Sequence, residues 1–304
     1  MTSFENKYLF EKKYDDFSYW VYSRYAIFSY LTKLQEGIEM SSQKMTDGLI
    51  CGIKNMIINS LRYRHKIKKI GHRDLLILNH ERRVLKDGYY RCIYTEQIEE
   101  HYPNSVVLER PYFYKHLKPI QTERIFYSDC VELESLIYGF LECKLKAKKY
   151  RKAKKFFEKE MSIVAPEFQH MVKQEVSVEA LSEMLTRLYL LYCVKRKKFE
   201  KIIQKIQPKV ILEVVSYNLD CMIFNEIAYE KKINTIELQH GVMSGSIAYY
   251  YPKNVLIKQF PQKVFLFSDY WKNCISVPLE DKNVISVGYP YFEEQVKKYQ
   301  KNKL

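Results

Sequence analysis

Seven short apolar runs punctuate the chain, at residues 74–79, 105–109, 123–128, 210–215, 235–238, 263–267 and 283–287. Charged or turn residues close them: Arg110-Pro111, Asp129, Gln239-His240-Gly241, Ser268-Asp269 and Gly288-Tyr289-Pro290. Continuous apolar runs with polar C-terminal ends are the pattern of strands in a parallel sheet covered on both faces. The clearest unit is 209–241. A strand over 210–215 leads into a helical pattern with Met222, Ile223, Ile227 and Ala228 on one face. The second strand, 235–238, stops at His240. This strand–helix–strand crossover predicts that both strand ends reach the same edge of the sheet, where open α/β folds bind ligands. Gly241 is expected to let the backbone turn sharply there.

Helical patterns surround these runs. Residues 1–70 form an N-terminal helical addition, in which 17–31 carries large apolar groups nearly all round; such a helix is buried or lies against an apolar surface. Residues 131–207 read as a helical insert within a lobe spanning 71–291, and 292–304 as a charged helical tail. Lys86-Asp87-Gly88-Tyr89 is a turn signal.

Composition narrows the class. With 304 residues and 47% apolar content, the chain has material for a sizeable core. The net charge of +14 favours an anionic partner: nucleic acid, lipid headgroups or phosphorylated sugars. Nine Lys and Arg fall within 143–159, either a solvated helix face or a contact for anionic lipid. Twenty-seven Tyr suit half-wet clefts or ordinary packing. The seven Cys include no CxxC and no zinc spacing, which fits a reducing, cytoplasmic setting. No apolar run reaches transmembrane length. The Gly-rich phosphate loops of NTPases and dehydrogenases are missing. No nucleic-acid reader motif accompanies the charge.

The ordered motifs Thr235-Ile-Glu-Leu-Gln-His-Gly241, Ser268-Asp-Tyr-Trp-Lys272 and Val287-Gly-Tyr-Pro290 resemble those of bacterial surface-polysaccharide glycosyltransferases of the GT-B type. The runs His80-Glu-Arg-Arg83, Tyr94-Thr-Glu96 and Glu109-Arg-Pro-Tyr112 look like that group too. More distantly, the His-Gly loop is similar to that of CDP-glycerol glycerophosphotransferases and polysialyltransferases. The resemblance spans roughly residues 72–292 and implies a Rossmann-like lobe on the acceptor side of a two-lobed, metal-independent enzyme. The second lobe is not expected in this chain. The implied activity is transfer from a nucleotide sugar, without a further cofactor, to a lipid-linked glycan at the inner face of the cytoplasmic membrane. A polyol-phosphate transferase of the same fold and a non-catalytic carbohydrate-binding scaffold stay open as alternatives.

Glycosyl transfer needs a base, stabilisation of a leaving pyrophosphate, and exclusion of water. His240 is the candidate base, with Gln239 and Gly241 beside it as substrate contacts; a turn histidine satisfied by backbone is the alternative. Glu213 would orient His240 or an acceptor hydroxyl, or else sit on a wet strand face. Glu237 is expected to point out of the core, and Asp220 to cap the helix that follows. Arg82 and Arg83 are candidate phosphate ligands or plain surface charge. Glu109 and Asp129 would bind sugar hydroxyls. Tyr249 and Tyr250, in a loop over 242–252 read as a mobile lid or a packed loop, would stack on a sugar ring.

Overall fold

The structure, a computed structural model, describes residues 5, 7–37, 46–80, 83–111, 115–252 and 255–301. Helices α1 (Lys7–Glu11), α2 (Tyr19–Gln35) and α3 (Thr46–Lys69) come first. Strand β1 (Leu75–Leu78), a small hairpin of β2 (Val84–Lys86) and β3 (Tyr89–Arg91), helix α4 (Glu96–His101), β4 (Ser105–Glu109) and β5 (Ile125–Tyr127) follow. Three long helices, α5 (Asp129–Lys144), α6 (Lys148–Val172) and α7 (Val178–Ile206), occupy the predicted insert. The chain then alternates: β6 (Val210–Glu213), α8 (Leu219–Glu230), β7 (Asn234–Leu238), β8 (Lys263–Leu266), β9 (Val284–Ser286) and α9 (Pro290–Lys301).

Seven strands form one parallel sheet in the order β5-β4-β1-β6-β7-β8-β9. The first three run outward from the middle in one direction and the last four in the other. This is a Rossmann-like doubly wound sheet, with its topological switch point between β1 and β6. Leu78 is level with Leu108 on one side and Glu213 on the other, so these C-terminal ends form a common rim.

The pleat divides the strand residues between two cores. Leu76, Leu78, Val106, Leu108, Phe126 and Ile211 join a large aromatic core built by α2, α6, α7 and α8. Leu75, Ile77, Val107, Ile125, Tyr127 and Leu212 face a smaller cluster closed by Ile98 of α4 and Ile120. Helix α2 is buried along most of its length, as its all-round apolar pattern predicts. Its Arg24, 3% exposed, donates to both oxygens of Glu5 and to the carbonyls of Ile247 and Tyr250. The N-terminal helices thereby hold the loop that follows β7.

The C-terminal part of the insert packs along the sheet: Phe199, Ile202, Ile203 and Ile206 of α7 join the large core. Lys195 of α7 meets Asp220, which opens α8 just past the end of β6, and this contact marks the level of the rim. Helix α5 runs antiparallel to α7: Lys198 pairs with Glu134, and Leu191 packs on Gly139. The end of α5 and the start of α6 reach α7 between Glu183 and Cys193, on the N-terminal side of Lys195. No described helix is long and apolar enough to cross a membrane.

Candidate functional site

A narrow crevice of about 30 Å³ opens at the switch point. Leu78, Leu108 and Phe224 form its apolar floor, and Asn79, His80, Arg110, Ser128, Asn218 and Asp220 its polar walls. Each wall residue stands where a strand has just ended or where α8 begins. Asn218 is the N-cap of α8: its side chain accepts from the Cys221 amide at 2.9 Å and donates to the Val215 carbonyl at 2.6 Å. Arg110 lies close enough to α8 to favour the ionised form of Asp220.

His240 lies two residues past the end of β7 and stands beside this crevice, against His80. Its ring stacks on that of His80, with centroids 6.0 Å apart. Its Nε2 lies 3.4 Å from the Tyr217 hydroxyl, and its carbonyl accepts from the Tyr94 hydroxyl at 2.7 Å. Aromatic rings continue along the rim on both sides. Tyr25 of α2 packs on Tyr217, Tyr94 stacks on Tyr289, and Tyr289 stacks on Phe267. Tyr94, Tyr289 and Phe267 line a further cavity of about 210 Å³.

Glu109 and Asp129 end in a different role from the one expected. His116 lies between them, its Nδ1 3.2 Å from Glu109 and its Nε2 2.8 Å from Asp129, with its ring stacked on Tyr127. Arg83 donates to Glu109 through Nε at 3.0 Å and through Nη2, and to the Tyr90 carbonyl. Asn79 donates to Glu109 and Asn59 to Asp129. Burial works against the charge on His116, but its bonds to Asp129 and Glu109 outweigh burial and raise its pKa. Burial likewise opposes ionisation of Glu109, but His116 and Arg83 hold its pKa below the usual value. The side chains of Arg83, Glu109, His116 and Asp129 are at most 3% exposed. Buried charges persist only when paired, and here each is. Arg83 is therefore neither a phosphate ligand nor surface charge, and the two carboxylates are not presented to sugar hydroxyls. They brace the ends of β4 and β5. Arg82 lies outside the described residues.

Glu213 and Glu237 pair in register on neighbouring strands, and both are fully buried. Glu213 accepts from Asn225 of α8 at 2.8 Å and is not hydrogen-bonded to His240. Glu237 accepts from the Ser216 amide and from the Tyr249 hydroxyl. It points into the core rather than out of it, because the face it shares with Thr235 is covered by α8 and the loop after β7. Burial, reinforced by the Glu237 charge, pushes the Glu213 carboxyl up to about 8; burial pushes Glu237 up to about 7. The second oxygen of each carboxylate lacks a hydrogen bond among the described residues.

Other expectations change as well. Tyr249 is buried on Glu237 and offers no ring to a sugar, whereas Tyr250 is partly exposed and tied through its hydroxyl to the Cys274 carbonyl. Paired backbone bonds between Ser276 and residues 249 and 251, with Arg24 beneath, anchor this loop as a packed element rather than a lid. Gln239 is buried; it donates to the Gly241 carbonyl and accepts from the Phe267 amide, which shapes the turn. Gly241 does not take the left-handed conformation, and a Cβ there would meet open space, so the turn does not require glycine. Asp220 does not cap α8 but pairs with Lys195, which also binds Glu132. His116 and Tyr217 were not legible as site residues: each sits in a loop whose neighbours carry no pattern. Among the described residues, no group of His, Cys, Asp and Glu is placed to hold a metal ion.

The chain matches no protein-family model, no curated protein and no solved structure.

Proposed function

We propose that the chain transfers a sugar from a nucleotide sugar to a membrane-linked glycan, as the acceptor-side lobe of a GT-B-type enzyme of surface-polysaccharide assembly. The supporting observation is the pairing of His240 with His80 at the end of β7, beside Arg110 and the start of α8 at the switch point. Imidazole exchanges protons near neutrality, so His240 takes the proton of the acceptor hydroxyl as the new bond forms. The Tyr94 hydroxyl on its carbonyl and the Tyr217 hydroxyl near Nε2 fix the ring's position. Arg110 and the first turn of α8 offset charge on the departing phosphate, since a helix N-terminus and a guanidinium both favour anions. The cavity lined by Tyr94, Phe267 and Tyr289 supplies an aromatic wall for a sugar ring. Sites for small ligands span about 300–1,000 Å³, so the crevice must widen on binding.

The test is a thermal-shift and turnover screen with nucleotide sugars and with CDP-glycerol, on wild type and His240→Ala. Stabilisation by a nucleotide sugar, with turnover lost in the variant, supports the reading. A response to CDP-glycerol alone moves the assignment to polyol-phosphate transfer. No response to any donor, or full turnover by His240→Ala, overturns the role given to His240.

A further inference from the structure

Among the described residues, the outer side of helix α5 is uncovered. Leu136, Ile137, Phe140, Leu141 and Leu145 at its far end are between 41 and 72% exposed. At about 100° per residue they fan over one half of the helix circumference. Large apolar groups concentrated on one helix face in water signal a contact surface. The turn that follows is tight, with Lys146 in the left-handed region at φ 43°. Around that turn Lys144, Lys146, Lys148, Arg151 and Lys152 are exposed. Lys144 lies over the Phe140 ring, its Nζ 5.6 Å from the centroid. Two other lysines of this segment turn inward: Lys149 to Cys193, and Lys154 to Glu179 and Glu183.

We propose that the tip formed by the end of α5 and the start of α6 docks on, and inserts apolar side chains into, an anionic lipid bilayer. Two observations select that occupant. Exposed apolar and cationic side chains are interleaved along this segment, the arrangement of elements that lie at a membrane interface with cations at headgroup level. A second copy is disfavoured, because each chain carries a net charge of +14 and the patch itself is cationic. The inference stands on surface chemistry and needs no catalytic step.

The experiment is co-sedimentation of the full chain with vesicles of phosphatidylglycerol mixed with phosphatidylcholine, against phosphatidylcholine alone. Binding to the anionic vesicles is expected. It should fall about tenfold in Phe140→Ser/Leu145→Ser, since each buried apolar group adds to partitioning. It should fall about a thousandfold or more when Lys144, Lys146, Lys148, Arg151 and Lys152 become Gln, since each cation near the surface adds to the attraction. In Leu145→Trp, quenching of the added fluorescence by brominated lipid reads insertion directly. All these positions are exposed, so melting temperatures should hold, and a variant that fails to fold is replaced by its single substitutions. Equal binding by wild type and both variants, or absence of quenching, overturns the proposal. A dimer in sedimentation velocity that Phe140→Ser dissociates also overturns it, by giving the patch to a second copy.

Discussion

Replacing Glu213 by Gln removes a buried ionisation while keeping an oxygen to accept from Asn225. In an unfolded chain a glutamate titrates near 4.5, and in this fold burial, with Glu237 alongside, raises Glu213 to about 8. The folded state therefore holds a proton that the unfolded state has released. Stability is greatest below the unfolded value and falls as pH rises, until the folded carboxyl itself ionises. A shift of that size corresponds to a ceiling of about 5 kcal/mol, of which about 3 kcal/mol is in force at pH 7. The slope approaches about 1.4 kcal/mol per pH unit across the window. Glutamine has no such slope, so Glu213→Gln should gain on wild type steadily from roughly pH 5 to pH 8 and level off above. Urea unfolding followed by circular dichroism at a series of pH values measures both curves. Their difference reports Glu213 together with its coupling to Glu237, because the other titrating residues are common to both proteins. Parallel curves over that range would refute the assignment of a retained proton to Glu213.

His116 links two buried carboxylates, so His116→Gln should destabilise by about 3–5 kcal/mol, as expected when one partner of a buried ion network is lost. Its raised folded pKa means that its contribution is complete below its unfolded value near 6.5 and disappears as pH rises through the folded value; an imidazole NMR titration reads this directly. Lys195→Met should cost a similar amount by stranding Glu132 and Asp220, and hydrogen exchange at the start of α8 should rise with it. Gly288→Ala should lose about 1 kcal/mol in urea titration, because φ is +85° and a Cβ would stand 2.7 Å from the Glu293 carboxylate; Gly241→Ala should be neutral. His240→Ala should abolish sugar transfer with little change in melting temperature, and a large loss of stability would instead mark a structural turn residue.

Local pattern was enough for the strands. The run 105–109 coincides with β4, the other six apolar runs overlap their strands, and residues 131–207 are filled by three helices, because a parallel sheet buried on both faces leaves an unbroken apolar signal. The Asp87-Gly88 turn was equally plain, and both residues adopt the left-handed conformation that a two-residue hairpin turn requires. His240 was placed at the rim for the same reason: a strand that stops delivers its next residue to the edge.

What a linear pattern does not carry is which charges meet. Arg83, Glu109, His116 and Asp129 come from four segments, and only the order of β5, β4 and β1 in the sheet brings them into one buried network. The alternation Ile236, Glu237, Leu238 reads as an inside–outside strand, but helices cover both faces, so Glu237 is buried with Glu213. Chain order therefore determined the sheet and its polar rim. Three-dimensional packing decided which rim residues stay accessible, because a buried charge persists only where the fold supplies its partner.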